Sequence, residues 1–305
     1  MRVVNNIADL IGNTPMYEIT TYPLPKQVRL FAKLEFLNPG GSIKDRLGFF
    51  LLKKAIKSGR VTKGSTVIEA TAGNTGIGLA LAAIHYQLKV VFITPEKFSK
   101  EKQILMKALG AKVINTPTED GMKGAIEKAN SLAQQIPDAY VANQFNTDLN
   151  PQTYYELMGP EIYRDLDGEV DIFIAGAGTG GTFMGVSQYL KEKNSQIQTI
   201  IVEPEGSILN GGKPKAYRTE GIGMEFLPPY MDRALFDHIY TIGDDEAFKR
   251  VAEISRKEGL LVGSSSGAVL EAALREANQA SPGTNIVTIF PDSSERYMST
   301  SIYME

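Results

Sequence analysis

The chain has 305 residues, a formal net charge of −3 and no cysteine. The length suggests roughly two domains with ample core. The charge gives no basic footprint for nucleic acid, and the lack of thiols excludes disulfides and thiolate metal sites. The opening MRVVNNIADLIGNTP lacks the apolar run of a leader, and no later stretch approaches the about 18 apolar residues of a membrane span. The expectation is a cytoplasmic protein with no membrane contact. His85 and His238 have no acidic or histidine partner at ligand spacing, so no metal site is assigned.

The first segment that carries chemistry is Asn38–Arg46, NPGGSIKDR. Pro39, Gly40 and Gly41 predict a tight turn, and Leu47, Phe50, Leu51 and Ala55 recur at helical spacing behind it. Lys44 then stands at a helix start near apolar cover, where desolvation and the positive helix end both disfavour its ammonium form. Such an amine attacks a carbonyl to form a Schiff base. On the residues of this segment alone the commoner outcome is a solvated lysine paired with Asp45, since lysines beside turns are mostly exposed.

Short β-rich runs follow at 66–70, 90–94, 112–116 and 140–145, then at 171–175, 199–204, 260–264 and 285–290, with helical patterns between. This alternation predicts an α/β chain of two doubly wound lobes, with ligands beyond the carboxyl ends of the strands.

Three loops fall at such ends. Thr71–Gly76, TAGNTG, leads from a strand into the helix IGLALAA; its free N–H groups suit a carboxylate, with Asn74 adding a directed contact, and a plain helix cap reads as well. Gly176–Thr182, GAGTGGT, lets backbone N–H groups converge on a phosphate, helped by the hydroxyls of Thr179 and Thr182. Gly176, Gly178 and Gly181 also fit a dinucleotide fingerprint, with Glu203 as the ribose-binding acid, so a nicotinamide-dependent oxidoreductase stays open. Gly263–Gly267, GSSSG, either presents a serine to a ring nitrogen or simply starts a helix.

In order, SIKDR, TAGNTG, NQF, GTGGT, EGIG and SSSGA resemble the fold type II pyridoxal-phosphate enzymes of the cysteine synthase and cystathionine β-synthase family, a tryptophan synthase β-like fold. The resemblance spans nearly the whole chain. It implies that Lys44 carries pyridoxal 5'-phosphate, Asn74 meets its ring hydroxyl, Gly178, Thr179, Gly180, Gly181 and Thr182 hold its phosphate, and Ser265 faces its ring nitrogen. Thr71, Ala72, Gly73, Asn74, Thr75 and Gln144 would receive the substrate carboxylate, with Gly223 and Glu225 of EGIGME completing the substrate site. A homodimer is implied, as is a mobile substrate-binding lobe of residues 35–145 closing beside a phosphate-binding lobe of 1–34 plus 146–305.

EPEGSIL and EGIGMEF look closer to cystathionine β-synthases and GGKP to cysteine synthases, a mixture similar to bacterial O-acetylserine-dependent cystathionine β-synthases. The expected reaction is β-replacement on O-acetylserine or serine, with homocysteine as the thiol; the alternative is a cysteine synthase using sulfide. A non-enzymatic cofactor-binding partner is a further alternative. Ala72 stands where relatives carry serine, which argues against binding a serine acetyltransferase tail. Glu225 is the residue expected to attract the distal ammonium of homocysteine.

Overall fold

The computed structural model describes residues 3–71 and 73–303. The chain divides into two compact units, Met1–Gly12 with Asn38–Leu149, and Asn13–Leu37 with Asn150–Glu305. After a 3-10 turn at Ile7–Leu10 come two strands of the second unit, β1 (Met16–Glu18) and β2 (Arg29–Leu34), paired antiparallel.

The first unit then follows as α1 (Lys44–Lys57), β3 (Thr66–Ala70), α2 (Asn74–Tyr86), β4 (Lys89–Pro95), α3 (Lys100–Ala108), β5 (Lys112–Thr116), α4 (Gly121–Ala133) and β6 (Ala139–Val141). Its four-stranded sheet has the order β5-β4-β3-β6, with every pairing parallel. Parallel strands are covered on both faces, and Val67, Ile68, Phe92 and Ile93 are accordingly buried. The apolar stripe read in α1 is buried too: Leu47, Phe50, Leu51 and Ala55. It packs on α2, where Gly48 of α1 meets Gly78 of α2 so closely that the two backbones touch: a Cβ on Gly78 would lie 2.3 Å from the Lys44 carbonyl oxygen.

The second unit continues with α5 (Leu149–Asp165), β7 (Ile172–Gly176), α6 (Gly181–Lys193), β8 (Gln198–Pro204), β9 (His238–Ile242), α7 (Asp244–Glu258), α8 (Ser264–Ala277) and β10 (Asn285–Phe290). The order of its six-stranded sheet is β1-β2-β10-β7-β8-β9, parallel except at β1.

Three expectations change. Residues 260–264 form no strand: Val262 makes an isolated bridge to Ser293, Gly263 is the N-cap of α8, and Ser264 already belongs to the helix. Residues 1–12 cluster with the first unit and not with the phosphate-binding lobe, because the 3-10 turn Ile7–Leu10 packs on α2 and the Gly12 amide donates to Asn38 at 2.9 Å. Strand β2 was not expected. Its Lys33 is fully buried, donating to the Thr14 carbonyl at 2.7 Å and to Asp165 of α5 at 2.6 Å. The charge is paired inside the core, which hydropathy cannot register.

Candidate active site

Both sheets reverse their winding at one strand. In the first unit the chain runs outward from β3 through β4 to β5 and returns as β6 on the other side of β3. The second unit does the same, running from β7 outward to β9 and returning as β10 beside β7. Loops at the carboxyl ends of such strands splay apart and leave a crevice. The two glycine-rich loops TAGNTG and GAGTGG follow β3 and β7, so each unit carries one of them at its switch point.

In the first unit, Lys44 is the first residue of α1, half-buried, with its amide donating to Ser42 Oγ at 3.2 Å. Asp45 is buried and turns back to accept the Gly40 amide, which closes the glycine turn ahead of the helix. Thr71 is buried, and its hydroxyl accepts the amides of Gly73 at 3.0 Å and Gly76 at 3.3 Å. Helix α2 starts at Asn74 with no side-chain hydrogen bond from its N-cap, Gly73. A helix start of this kind suits an anion. Thr75 donates from its hydroxyl to Gln144 Oε1 at 2.7 Å, and Gln144 Nε2 donates to the Ala70 carbonyl at 3.0 Å. Gln144 thus bridges the end of β3 and the start of α2. Ala72 lies outside the described residues.

In the second unit, α6 starts at Gly181 behind a left-handed Gly180, again without a side-chain cap. Thr179 and Thr182 are buried at this start; the Thr179 hydroxyl accepts from Asn150 Nδ2 at 3.0 Å, and Tyr230 donates to the Thr179 carbonyl at 2.9 Å. Gly178 cannot carry a side chain, because a Cβ there would lie 2.4 Å from the Gly221 carbonyl oxygen of the EGIG loop. EGIG is joined to the same loop by the Gly223 amide, which donates to the Ala177 carbonyl at 2.8 Å. Its other end is anchored by the Glu220 amide donating to Ser264 at 3.0 Å and by Asp244, which accepts from the Arg218 and Thr219 amides at 2.7 and 2.9 Å. Ser265 is buried at the start of α8, close under Gly221. Glu225 is exposed, and its charge, after burial itself, helps raise the Tyr217 hydroxyl to about 12.

The geometry groups Lys44, Thr71, Gly73, Asn74, Thr75 and Gln144 at the switch point of the first unit, and Gly178–Thr182, Gly223 and Ser265 at that of the second. Sequence reasoning missed Asn150, Asp244, Ser264 and Glu69. Of these, Ser264 lay within the GSSSG motif without a role of its own, and Glu69 left a trace as one acid in the buried strand TVIEA. The ribose role considered for Glu203 fails: its carboxylate is buried and accepts the Leu209 and Asn210 amides at 2.8 and 3.0 Å and the Thr241 hydroxyl at 3.1 Å, so it ties off its own loop.

Each unit is a largely parallel sheet with a glycine-rich loop and an uncapped helix start at its switch point, an α/β arrangement suited to binding anions, and the first unit also carries a lysine at a helix start. The chain belongs to the pyridoxal-phosphate dependent enzyme family, whose model matches residues 7–292. It is 58% identical over 99% of both chains to the O-acetylserine dependent cystathionine beta-synthase of Bacillus subtilis. It is 51% identical over the full length of both to a cysteine synthase of Helicobacter pylori. A crystal structure of an O-acetylserine dependent cystathionine beta-synthase from Helicobacter pylori superposes over the whole of both chains with a TM-score of 0.98 at 51% identity. The fold is therefore type II, and the cofactor is pyridoxal phosphate. The donor set fits that group: the start of α6, which has no side-chain cap and has the buried Thr179 and Thr182 beside it, suits a phosphate.

Proposed function

We propose that the chain catalyses β-replacement on O-acetylserine, with serine as the alternative donor, using homocysteine to give cystathionine and acetate. The observation that carries this reading is end-to-end similarity to two O-acetylserine dependent cystathionine beta-synthases, at 58% and 51% identity. The similarity to a cysteine synthase at 51% supports sulfide as the competing acceptor. A cytoplasmic setting and a homodimer belong to the same proposal, the latter testable by light scattering.

Bound pyridoxal phosphate supplies the electron sink that allows a Cα proton and then a β-substituent to leave. Lys44 would hold it covalently, Asn74 would meet its ring hydroxyl, Gly178–Thr182 would take its phosphate, and Ser265 would meet its ring nitrogen. As a neutral hydroxyl, Ser265 would hydrogen-bond the nitrogen without requiring it to be protonated, a setting that would favour elimination over fuller carbanion development. The carboxylate of the donor would lie at the start of α2, received by Thr71, Gly73, Asn74, Thr75 and Gln144. The Lys44 amine, displaced by the donor, takes the Cα proton and later returns it. The Cβ–O bond breaks, acetate leaves, and a Cβ–S bond to the thiol replaces it.

The test is to supply the loaded enzyme with O-acetylserine and equal homocysteine or sulfide, and to identify products by mass spectrometry. Efficient cystathionine formation supports the reading, whereas cysteine from sulfide alone makes the protein a cysteine synthase. Glu225→Ala is expected to lower homocysteine use about tenfold or more and to leave sulfide use unchanged, because only homocysteine has a distal ammonium; a charged hydrogen bond contributes about 1.5–3 kcal/mol. Equal losses for the two thiols would remove Glu225 from the site.

A further inference from the structure

Glu69 is a carboxyl in the interior of a buried strand, 1% exposed, and the function described above makes no use of it. Its register neighbour on β4 is Phe92. On the β6 side its Oε2 accepts the Asn143 amide at 2.6 Å and its Oε1 the Gln144 amide at 3.3 Å. Asn143 itself is left-handed, with φ 54°. Strand β6 stops at Val141, so these two amides lie beyond the sheet ladder, and the two carboxyl oxygens of Glu69 supply the acceptors that a neighbouring strand would have given. The turn so fixed sends the Gln144 side chain back onto the Ala70 carbonyl and the Thr75 hydroxyl.

We propose that Glu69 is a positioning residue for the donor carboxylate: by fixing the Asn143–Gln144 turn it holds Gln144, and through Gln144 it holds Thr75 and both ends of the TAGNTG loop. This rests on the reading that the loop receives the donor. Burial is the largest influence on Glu69 and raises its carboxyl to about 8, although both backbone amides and the Gln144 side chain pull it down. The ionisable group facing it from β6 is Tyr140, itself raised by burial and by Glu69 and lowered by Arg60.

The experiment is Glu69→Gln in the loaded enzyme. The assay is run above about pH 8, where the Glu69 carboxyl has lost its proton; there the variant keeps the shape but replaces one acceptor with a donor, so one of the two amides loses its partner. The expected result is a KM for O-acetylserine raised about tenfold or more, kcat within about threefold, and unchanged cofactor retention on dialysis. Gln144→Ala should behave likewise, and the double variant should be no worse than either single one. A KM within about twofold of the parent, or additive effects, overturns the proposal. Wild-type enzyme that makes no product from O-acetylserine would instead overturn the functional reading.

A second measurement needs neither turnover nor a folded variant. In the unaltered chain the Asn143 and Gln144 amide resonances should titrate together, with an apparent value well above the usual carboxylate range, and amides that do not titrate overturn the proposal. The stability effect has a definite sign. Because the folded value lies above the unfolded one, the stability linked to Glu69 is fully present below about 4.5 and is lost as pH rises through about 8. Glu69→Gln should therefore flatten the fall of the thermal midpoint across that window.

Discussion

Lys44→Ala is expected to reduce turnover of O-acetylserine by at least about a thousandfold while leaving the chain folded. Lys44 is proposed both to attach the cofactor and to move the proton at Cα, so one substitution removes two functions. The fold should tolerate it. Lys44 is only half-buried and is the first residue of α1, where alanine is a good helix former. Lys44→Arg should not rescue activity, because a guanidinium does not give up its proton in proteins. Borohydride reduction followed by peptide mass analysis gives an independent reading: the cofactor should be trapped on Lys44 in the parent and on no residue in either variant. Activity of Lys44→Ala within tenfold of the parent, or trapping at another lysine, would refute the assignment.

Gly78→Ala is expected to lower both stability and turnover, although Gly78 is not among the residues proposed to touch the substrate. Its new Cβ would lie 2.3 Å from the Lys44 carbonyl oxygen, 2.7 Å from its carbonyl carbon and 3.1 Å from the Asp45 Cα. All three obstacles are backbone atoms, so no side chain can rotate away, and α1 must shift from α2. Overpacking of this kind costs about 1–3 kcal/mol. The displaced residue is Lys44 itself, and a misplacement of about 1 Å can lower turnover about a hundredfold. Both a lower thermal midpoint and a kcat reduced by about tenfold or more are expected. Gly48→Ala should reproduce both effects, since its Cβ would lie 2.3 Å from the Gly78 carbonyl carbon on the other side of the crossing. Unchanged stability and turnover in both variants would show that the helices have room to part.

The alternation of β-rich runs and helical patterns was enough to read an α/β fold, because parallel strands covered on both faces leave uninterrupted apolar runs such as VVFIT. The glycine loops and the turn ahead of Lys44 were equally legible as local structure, since each lies where a strand or turn passes into a helix start and needs particular residue types in a fixed local order. The tertiary structure decided what depends on partners distant in sequence. Strand β2 lies inside its sheet, between β1 and β10, with the charge of its buried Lys33 paired by Asp165 and Glu161. Residues 260–264 read as a strand by composition, yet their backbone serves as a cap for α8. Gly48 and Gly78 are 30 positions apart, and no local pattern announces that their helices cross with backbones in contact. Glu69 and Gln144, 75 residues apart, form a single clamp only because β3 and β6 are neighbours at the switch point of the sheet. The sequence determined which chemistry each loop can perform, because that follows from the residues within a turn or two of chain. Which buried charges are satisfied, and which glycines must remain bare, followed from strand order and helix crossing, which bring together atoms that the chain holds far apart.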